Sequence, residues 1–409
     1  MTSAVDARAA TGRVPPFALD AAQIADPYPV YRHYLDIDPV HRQHRDPAGA
    51  DTWYLFGYDD VFAVLTDRRF GRRAPGGAPV VPIPPQYAAL HDVVTNWLVF
   101  LDPPEHTALR SRVAGHFTPA RVTPLRKRVE TLVDGLLDDL ADRPVADLVE
   151  DFAAPLPILV IADLLGVPAT RHRWLRRHAV ALQQANTSHD GAGLPAADRA
   201  ARALSAFFAA EAGRRRGANP GDLVGHLLAA GLTEVQLAST CIHLLTAGHE
   251  TTTNLLSKGV LALLRNPHVH AELSAVPEAM PWAVEELTRY DSPVQMIRRR
   301  ARQDVEIGGR HIGAGSTVVL VLGSANRDPA RFPEPDRLDI HRVPTRHAGF
   351  GMGIHYCLGA HLARLEAEVA LTRLLHRLPR LSLSEHPVPY AHDLVFHGPS
   401  RLLVNPGSR

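Results

Sequence analysis

One cysteine sits among residues that give it a chemical meaning. Cys357 follows Phe350-Gly351-Met352-Gly353-Ile354-His355-Tyr356 and precedes Leu358-Gly359, while the other cysteine, Cys241, is remote in sequence. After it, Leu358, Leu362, Leu365 and Val369 recur at helical spacing as far as Pro379. The sulfur is therefore expected at a helix start, where unpaired backbone N–H groups and the dipole favour a thiolate. The glycines ahead of it let the chain fold tightly around the sulfur. With no second cysteine nearby, half of a zinc cluster is excluded, whereas a single thiolate suits a haem iron. A lone cysteine is more often an inert buried residue; here the context reverses the odds.

A second segment pairs an acid with an alcohol. Ala247-Gly248-His249-Glu250-Thr251-Thr252-Thr253 combines glycine with three threonines, which lowers helix propensity and invites side-chain bonding to the backbone. A plain structural kink is one reading. The other is chemical: Glu250 can relay protons from solvent and Thr251 can hold a reacting oxygen by a hydrogen bond. His243 and Thr246 precede Glu250 by about two turns and one, so they are expected on the same face, although a satisfied core histidine is as good a reading of His243.

These residues need elements to hold them. Thr233-Glu234-Val235-Gln236 is a capping box that opens an apolar pattern running to Arg265 and stopping at Asn266-Pro267. The spacing predicts a helix of about 48 Å, at ~1.5 Å per residue, through the core. Asp102-Pro103-Pro104-Glu105 reads as a second capped start, for a helix through about Phe117 that carries His106 and Arg110 on one face. Strands are expected at Trp53 to Phe56, on both sides of Gly308-Gly309, at Thr317 to Leu322, and at Leu394 to His397 and Arg401 to Val404 around Gly398-Pro399-Ser400. Gly71 to Pro85 and Ser188 to Ala197 read as surface loops.

The 409 residues are 45% hydrophobic and carry 44 basic against 43 acidic side chains, so a large core is possible and a global field for gripping nucleic acid or an anionic membrane is not. Only two of the basic residues, Lys127 and Lys258, are lysines. The first twenty residues lack the apolar run of a signal peptide. The most apolar stretch, Ala153 to Val167, is broken by Pro155, Pro157 and Asp163. A cytoplasmic protein with no membrane span is expected. Length alone suggests two or three domains.

Five motifs turn these features into a resemblance. Phe350-x-x-Gly353-x-His355-x-Cys357-x-Gly359 resembles the haem-binding signature of the cytochrome P-450 superfamily, and Ala247-Gly248-x-Glu250-Thr251-Thr252 resembles its oxygen-activating motif. Glu286-x-x-Arg289 is similar to the family's structural ion pair, Asp102 to Arg110 to its haem-propionate helix, and Arg298-Arg299-Arg300-Ala301 to its propionate-binding strand, with Arg299 in the family's register. The resemblance implies a mainly α, single-domain fold over residues 21–409 with small β-sheets, preceded by a poorly ordered extension, 1–20. It implies haem b with Cys357 as axial thiolate, Ala247, Phe350 and Gly359 against the cofactor, and His106, Arg110, Arg299 and His355 on its propionates. Glu286 and Arg289 would be joined by an arginine from the stretch Arg327 to Arg342.

The activity implied is insertion of one oxygen atom from O2 into an organic substrate, by hydroxylation or epoxidation. Electrons would come from NAD(P)H through a ferredoxin and its reductase, since no flavin or nicotinamide fingerprint is present. Arg110, Arg112, Arg346 and Arg364 are a candidate docking face for the ferredoxin, a solvated surface being the plain alternative. Family topology places Trp97, Phe100, His243, Thr246, Val294, Gln295 and Phe396 around the substrate, a largely apolar lining suited to a bulky polyketide or macrolide, with the loops at Gly71 to Pro85 and Ser188 to Ala197 opening to admit it. Oxidative coupling or rearrangement is the alternative chemistry, and a haem-thiolate sensor without turnover the alternative class. A monomer without nucleic-acid partners is expected.

Overall fold

The Thr233 capping box starts the element around which the chain is arranged. In the computed structural model, which describes residues 14–43, 51–73, 83–187, 191–217 and 221–407, Thr233 Oγ1 accepts from the Gln236 N–H at 3.2 Å and Gln236 Oε1 accepts from the Thr233 N–H at 3.1 Å. The central helix then runs Glu234–Arg265 and ends where Pro267 opens the next helix. It is buried along most of its length, packed by the helices Ala88–Thr95, Pro155–Leu164, Leu194–Arg215 and Ala360–Arg377. Leu245, Leu256, Leu263, Leu371 and Leu374 belong to the resulting core. No helix among the described residues is long and apolar enough to cross a membrane.

A five-stranded sheet stands beside the helices. Its order is Val40–Gln43, Thr52–Leu55, Thr317–Val321, Met296–Ala301, Phe70–Gly71, with Thr52–Leu55 and Thr317–Val321 parallel and the other pairs antiparallel. The pairing of Gly71 with Arg300 carries Arg72 to the strand that holds Arg299. Val305–Ile307 and Arg310–Ile312 form the hairpin expected around Gly308-Gly309, whose φ angles of 54° and 70° are those of a tight primed turn. Phe17, Tyr31, Tyr34 and Phe56 build an aromatic cluster on the sheet, so part of the expected 1–20 extension, Val14 to Asp20, is packed; residues 1–13 lie outside the described residues.

Three expectations need correction. Of the two strands expected at Leu394 to His397 and Arg401 to Val404, the second lies at Leu403–Asn405, paired with Ala146–Asp147 and Ser382–Leu383, and the first is replaced by one isolated bridge, Val294 to Phe396. The Ser188 to Ala197 stretch is helical from Leu194, because Gly191 to Gly193 already supplies the turn and Pro195 is tolerated in a first helical turn; residues 188–190, like 74–82 of the other loop, lie outside the described residues. Asp102 does not cap the helix Glu105–Ala114, whose cap position is Pro104. Its carboxylate instead accepts from the backbone N–H of Arg72 and Arg73 and pairs with Arg302 at 2.9 Å.

Glu286 and Arg289, three apart on one helix face, form a buried ion pair of the kind the resemblance implies. Two parallel bonds of 2.7 and 2.8 Å join them, both side chains are buried, and Arg289 also donates to the carbonyls of Asn326, Pro335 and Arg337. The third member is Arg342, whose Nε lies 3.2 Å from Glu286 Oε1. One helix, Met280–Tyr290, is thereby tied to the irregular chain that leads into the Cys357 loop.

Candidate active site

Cys357 lies at the end of a tight loop, three residues ahead of the helix Ala360–Arg377. Gly351 and Gly353 have φ of 67° and 68°, a conformation that glycine adopts at little cost, and a Cβ on Gly353 would stand 2.6 Å from the Leu65 carbonyl oxygen. The Cys357 N–H donates to Phe350 O at 2.9 Å and the Tyr356 N–H to Gly353 O at 3.0 Å, which closes the loop. Burial raises the thiol's pKa, while the Gly359 N–H, Arg364 and Arg110 act in the opposite direction. Cys241 is fully buried in the N-terminal part of the central helix, and burial pushes its thiol far up. Phe350 lies under the Arg364 guanidinium, 4.2 Å from the ring centroid.

Arg364 is not available as a free surface charge. It makes a bidentate pair with Glu285 at 2.5 and 3.0 Å. Arg110 is likewise engaged, donating to Tyr356 O at 2.7 Å, so of the four arginines read as a docking face only Arg112 and Arg346 are exposed.

The central helix opens at one place. Ala247 is exposed and Gly248, Glu250 and Thr251 are partly so, between the buried Thr246, His249 and Thr252. Nothing lies within 4 Å of a Cβ placed on Gly248. The helix packs against the one that follows Cys357. Thr251 Oγ1 donates to Ala247 O at 2.8 Å, which leaves the hydroxyl oxygen to accept a further hydrogen bond. Burial, helped by Asp393, raises the Glu250 pKa to about 8, so at neutral pH this side chain carries a proton.

Basic residues from four segments meet nearby. His106 and Arg110 come from the helix Glu105–Ala114, Arg299 from its strand, and His355 from the cysteine loop. Among the three consecutive arginines, Arg298 is exposed and Arg300 partly so, while Arg299 is buried. The fifth member, Arg72, was not found by sequence reasoning; its only signal is the strand pairing that sets it beside Arg299. Both ring nitrogens of His106 and Nε of Arg72 are buried without a partner. His106 and His355 face each other at 4.3 Å between ring centroids, and burial together with Arg72, Arg299, His106 and Arg110 depresses the His355 pKa. This excess of positive charge, with Asp102 as the nearby acid, fits a buried pair of carboxylates such as haem propionates.

The substrate residues read from the sequence divide. Trp97 stacks on His243 at 5.3 Å and on Phe100 at 6.0 Å, forming one aromatic wall. Val294 and Phe396 are joined by their bridge and are partly exposed. Thr246 turns its hydroxyl back on the carbonyls of Ile242 and His243. Gln295 is misassigned: successive residues of extended chain point to opposite sides, and its buried side chain bonds Tyr28 and Ser292 at 3.0 and 2.9 Å.

His243 offers a test of this wall. Burial lowers its pKa to about 4, below the ~6.5 of an exposed imidazole, so the native state refuses a proton that the unfolded chain takes up. Its contribution to stability is therefore intact above pH 6.5 and is lost as pH falls toward 4. His243→Phe, which keeps the stack, is expected to remove up to ~3 kcal/mol of acid sensitivity between pH 7 and pH 4. Urea unfolding of wild type and variant at both pH values checks this; parallel losses would place His243 in a solvated setting.

Residues 278–397 match the family model described as Cytochrome P450. The chain is 40% identical over 374 residues to the cytochrome P450 monooxygenase PikC of Streptomyces venezuelae, covering 89% of this chain and 86% of that one. It is 38% identical over 387 residues to the mycinamicin IV hydroxylase/epoxidase of Micromonospora griseorubida, covering 91% and 94%. Among solved structures it resembles P450BioI in complex with an acyl carrier protein bearing hexadec-9Z-enoic acid, with a TM-score of 0.88, 35% identity and coverage of 95% and 100%. A loop built around one accessible thiol, an open helix window and a surplus of buried cations thus agree with likeness along nearly the whole chain: it belongs to the cytochrome P450 family of monooxygenases, which bind haem b through a cysteine thiolate.

Proposed function

We propose that the protein hydroxylates or epoxidises a bulky, neutral, oxygen-bearing secondary metabolite of the polyketide or macrolide type. Cys357 would hold the haem iron, and Arg72, His106, Arg110, Arg299 and His355 would hold its propionates. When bound, haem b supplies the centre at which O2 is reduced and one of its atoms passes to the substrate. The observation that carries the reading is the window at Ala247 to Thr251. Glu250 stores a proton there, and Thr251, its own proton committed to Ala247 O, accepts a hydrogen bond and so orients the group to be protonated. The neighbouring His249 is turned away toward Gln183.

For the substrate, the Trp97–His243–Phe100 wall supports a large skeleton. The buried, unpartnered Nε1 of Trp97 can only donate, and His243 is neutral, so the wall suits a hydroxyl or carbonyl group rather than a charge. Relatives named as a mycinamicin IV hydroxylase/epoxidase and a polyketide biosynthesis cytochrome P450 support that class. Electrons would arrive from NAD(P)H through a reductase and a ferredoxin. Beside the cysteine loop lies a groove of about 810 Å3 lined by Trp282, Val343, Arg346, Phe350 and Tyr356, with Trp282 and Val343 exposed. We place the ferredoxin there, against Arg346.

A panel of macrolides and polyketides is first screened for spin-state shifts of the haem-loaded protein. With the strongest binder and a surrogate ferredoxin and reductase, Thr251→Ala is expected to lower product per NADPH several-fold and raise released peroxide by the same amount. Unchanged product per NADPH would remove Thr251 from the proposed role. Product masses separate oxygen insertion from coupling or rearrangement.

A further inference from the structure

Two successive carbonyls of the central helix accept bonds from side chains. Thr251 Oγ1 donates to Ala247 O at 2.8 Å, and Gln183 Nε2 donates to Thr246 O at 3.1 Å. Gln183 comes from a different element, the helix His172–Thr187, which packs against the central helix. On that helix Leu175, Ala179 and Leu182 are buried in the core. Gln183 stands one turn after Ala179 and so puts an amide where the periodicity calls for an apolar side chain. A part-buried amide needs partners, and Gln183 finds one for each of its ends on the central helix.

The second partner is His249, whose Nδ1 lies 3.0 Å from Gln183 Oε1. Since the amide nitrogen is spent on Thr246 O, the oxygen faces the imidazole and Nδ1 is the donor. Burial lowers the His249 pKa to about 4, so at neutral pH the ring carries one proton, and it sits on Nδ1. One side chain therefore spans Thr246 and His249, the two residues that flank Ala247 and Gly248, where the helix opens. Side chains bonded to helix carbonyls compete with the backbone ladder and loosen or bend it. Here the same amide that engages the carbonyl also holds the helix three residues further on.

We infer that Gln183 is a positioning residue for the oxygen chemistry: by gripping Thr246 O and His249 Nδ1 it fixes the peptide plane ahead of Ala247, and with it the Ala247 carbonyl that orients the Thr251 hydroxyl. The inference rests on the role proposed above for Thr251. It also gives a task to His249, the residue between Gly248 and Glu250 that the chemistry leaves unused. Gln183 acts through the backbone of the window, and its loss should misplace the alcohol without emptying the substrate pocket.

Gln183→Met keeps the length of the side chain and removes both bonds. In the haem-loaded protein with the best binder of the panel, it is expected to lower product per NADPH about three- to tenfold, the worth of one or two net hydrogen bonds, and to raise released peroxide correspondingly. The Kd read from the spin-state shift should change less than about twofold. His249→Asn, whose amide nitrogen stands near the place of Nδ1, should retain product per NADPH, whereas His249→Phe should lose it as Gln183→Met does. Adding Gln183→Met to Thr251→Ala should cost nothing more. A weakened Kd with unchanged product per NADPH would mean that Gln183 merely packs the helix, and would overturn the inference.

Hydrogen exchange of the haem-loaded, substrate-free protein reads the positioning without turnover. Peptides covering Thr246 to Thr253 should exchange several-fold faster in Gln183→Met and His249→Phe, while those from Leu255 to Arg265 keep the wild-type rate. Unchanged exchange at the window in both variants overturns the inference. If exchange rises there but Thr251→Ala leaves product per NADPH intact, the role of Thr251 falls instead, and Gln183 stands as a residue that holds the helix window.

Discussion

Cys357→Ser is expected to yield a folded protein whose reduced, CO-bound spectrum lacks the strongly red-shifted Soret band of thiolate-ligated haem. Its turnover should fall by at least about 1,000-fold, equivalent to ~4 kcal/mol of barrier. The fold should survive because the loop is closed by backbone bonds, from Cys357 N–H to Phe350 O and from Tyr356 N–H to Gly353 O, and by the left-handed glycines. None of these involves the sulfur. A red-shifted band retained in the variant would move the ligand elsewhere, and Cys241, enclosed in the core and held as a thiol by burial, is the sole other cysteine. Circular dichroism of the apoprotein separates lost ligation from lost folding.

Arg289→Leu should instead damage the scaffold. It strands the Glu286 carboxylate with Arg342 and the Asp339 N–H, and strips donors from the carbonyls of Asn326, Pro335 and Arg337. Breaking a buried pair from one side costs about 3–5 kcal/mol, a large part of the 5–15 kcal/mol that holds a typical domain together. Glu286→Gln should cost less, because Arg289 keeps its three carbonyls. Urea unfolding of the haem-loaded fraction gives both values; a loss below ~1 kcal/mol for Arg289→Leu, or equal losses, would contradict this assignment.

Much of the site was legible because it is written in local spacing. The Thr233 box starts the central helix where its four residues place it, Glu286 and Arg289 meet because three residues separate them on one helix, and the glycines before Cys357 take the left-handed conformations a tight loop needs. Illegible features depend on partners distant in sequence. Asp102 has every mark of a helix cap, yet Arg72, Arg73 and Arg302 compete for its carboxylate and win. Arg364 looks like surface charge until Glu285, 79 residues earlier, neutralises it. Arg72 carries no motif; a strand pairing brings it to the cationic cluster. Gln295 could have been set aside on alternation alone, since its neighbour Val294 takes the opposite side.

The burial of Lys258 also determines how the protein can be handled. The chain has two lysines and its other basic side chains are arginines. Lys258 is 2% exposed, with its ammonium enclosed by Asp291, Ser292 and His397, whereas Lys127, near the start of the helix Arg126–Ala141, is exposed. Amine-reactive esters therefore find one side chain on the folded protein, besides the terminal amine. A fluorophore, a cross-linker or a solid support attached by amine chemistry would be coupled through Lys127 as the one reactive side chain, with the terminal amine as the second point of attachment.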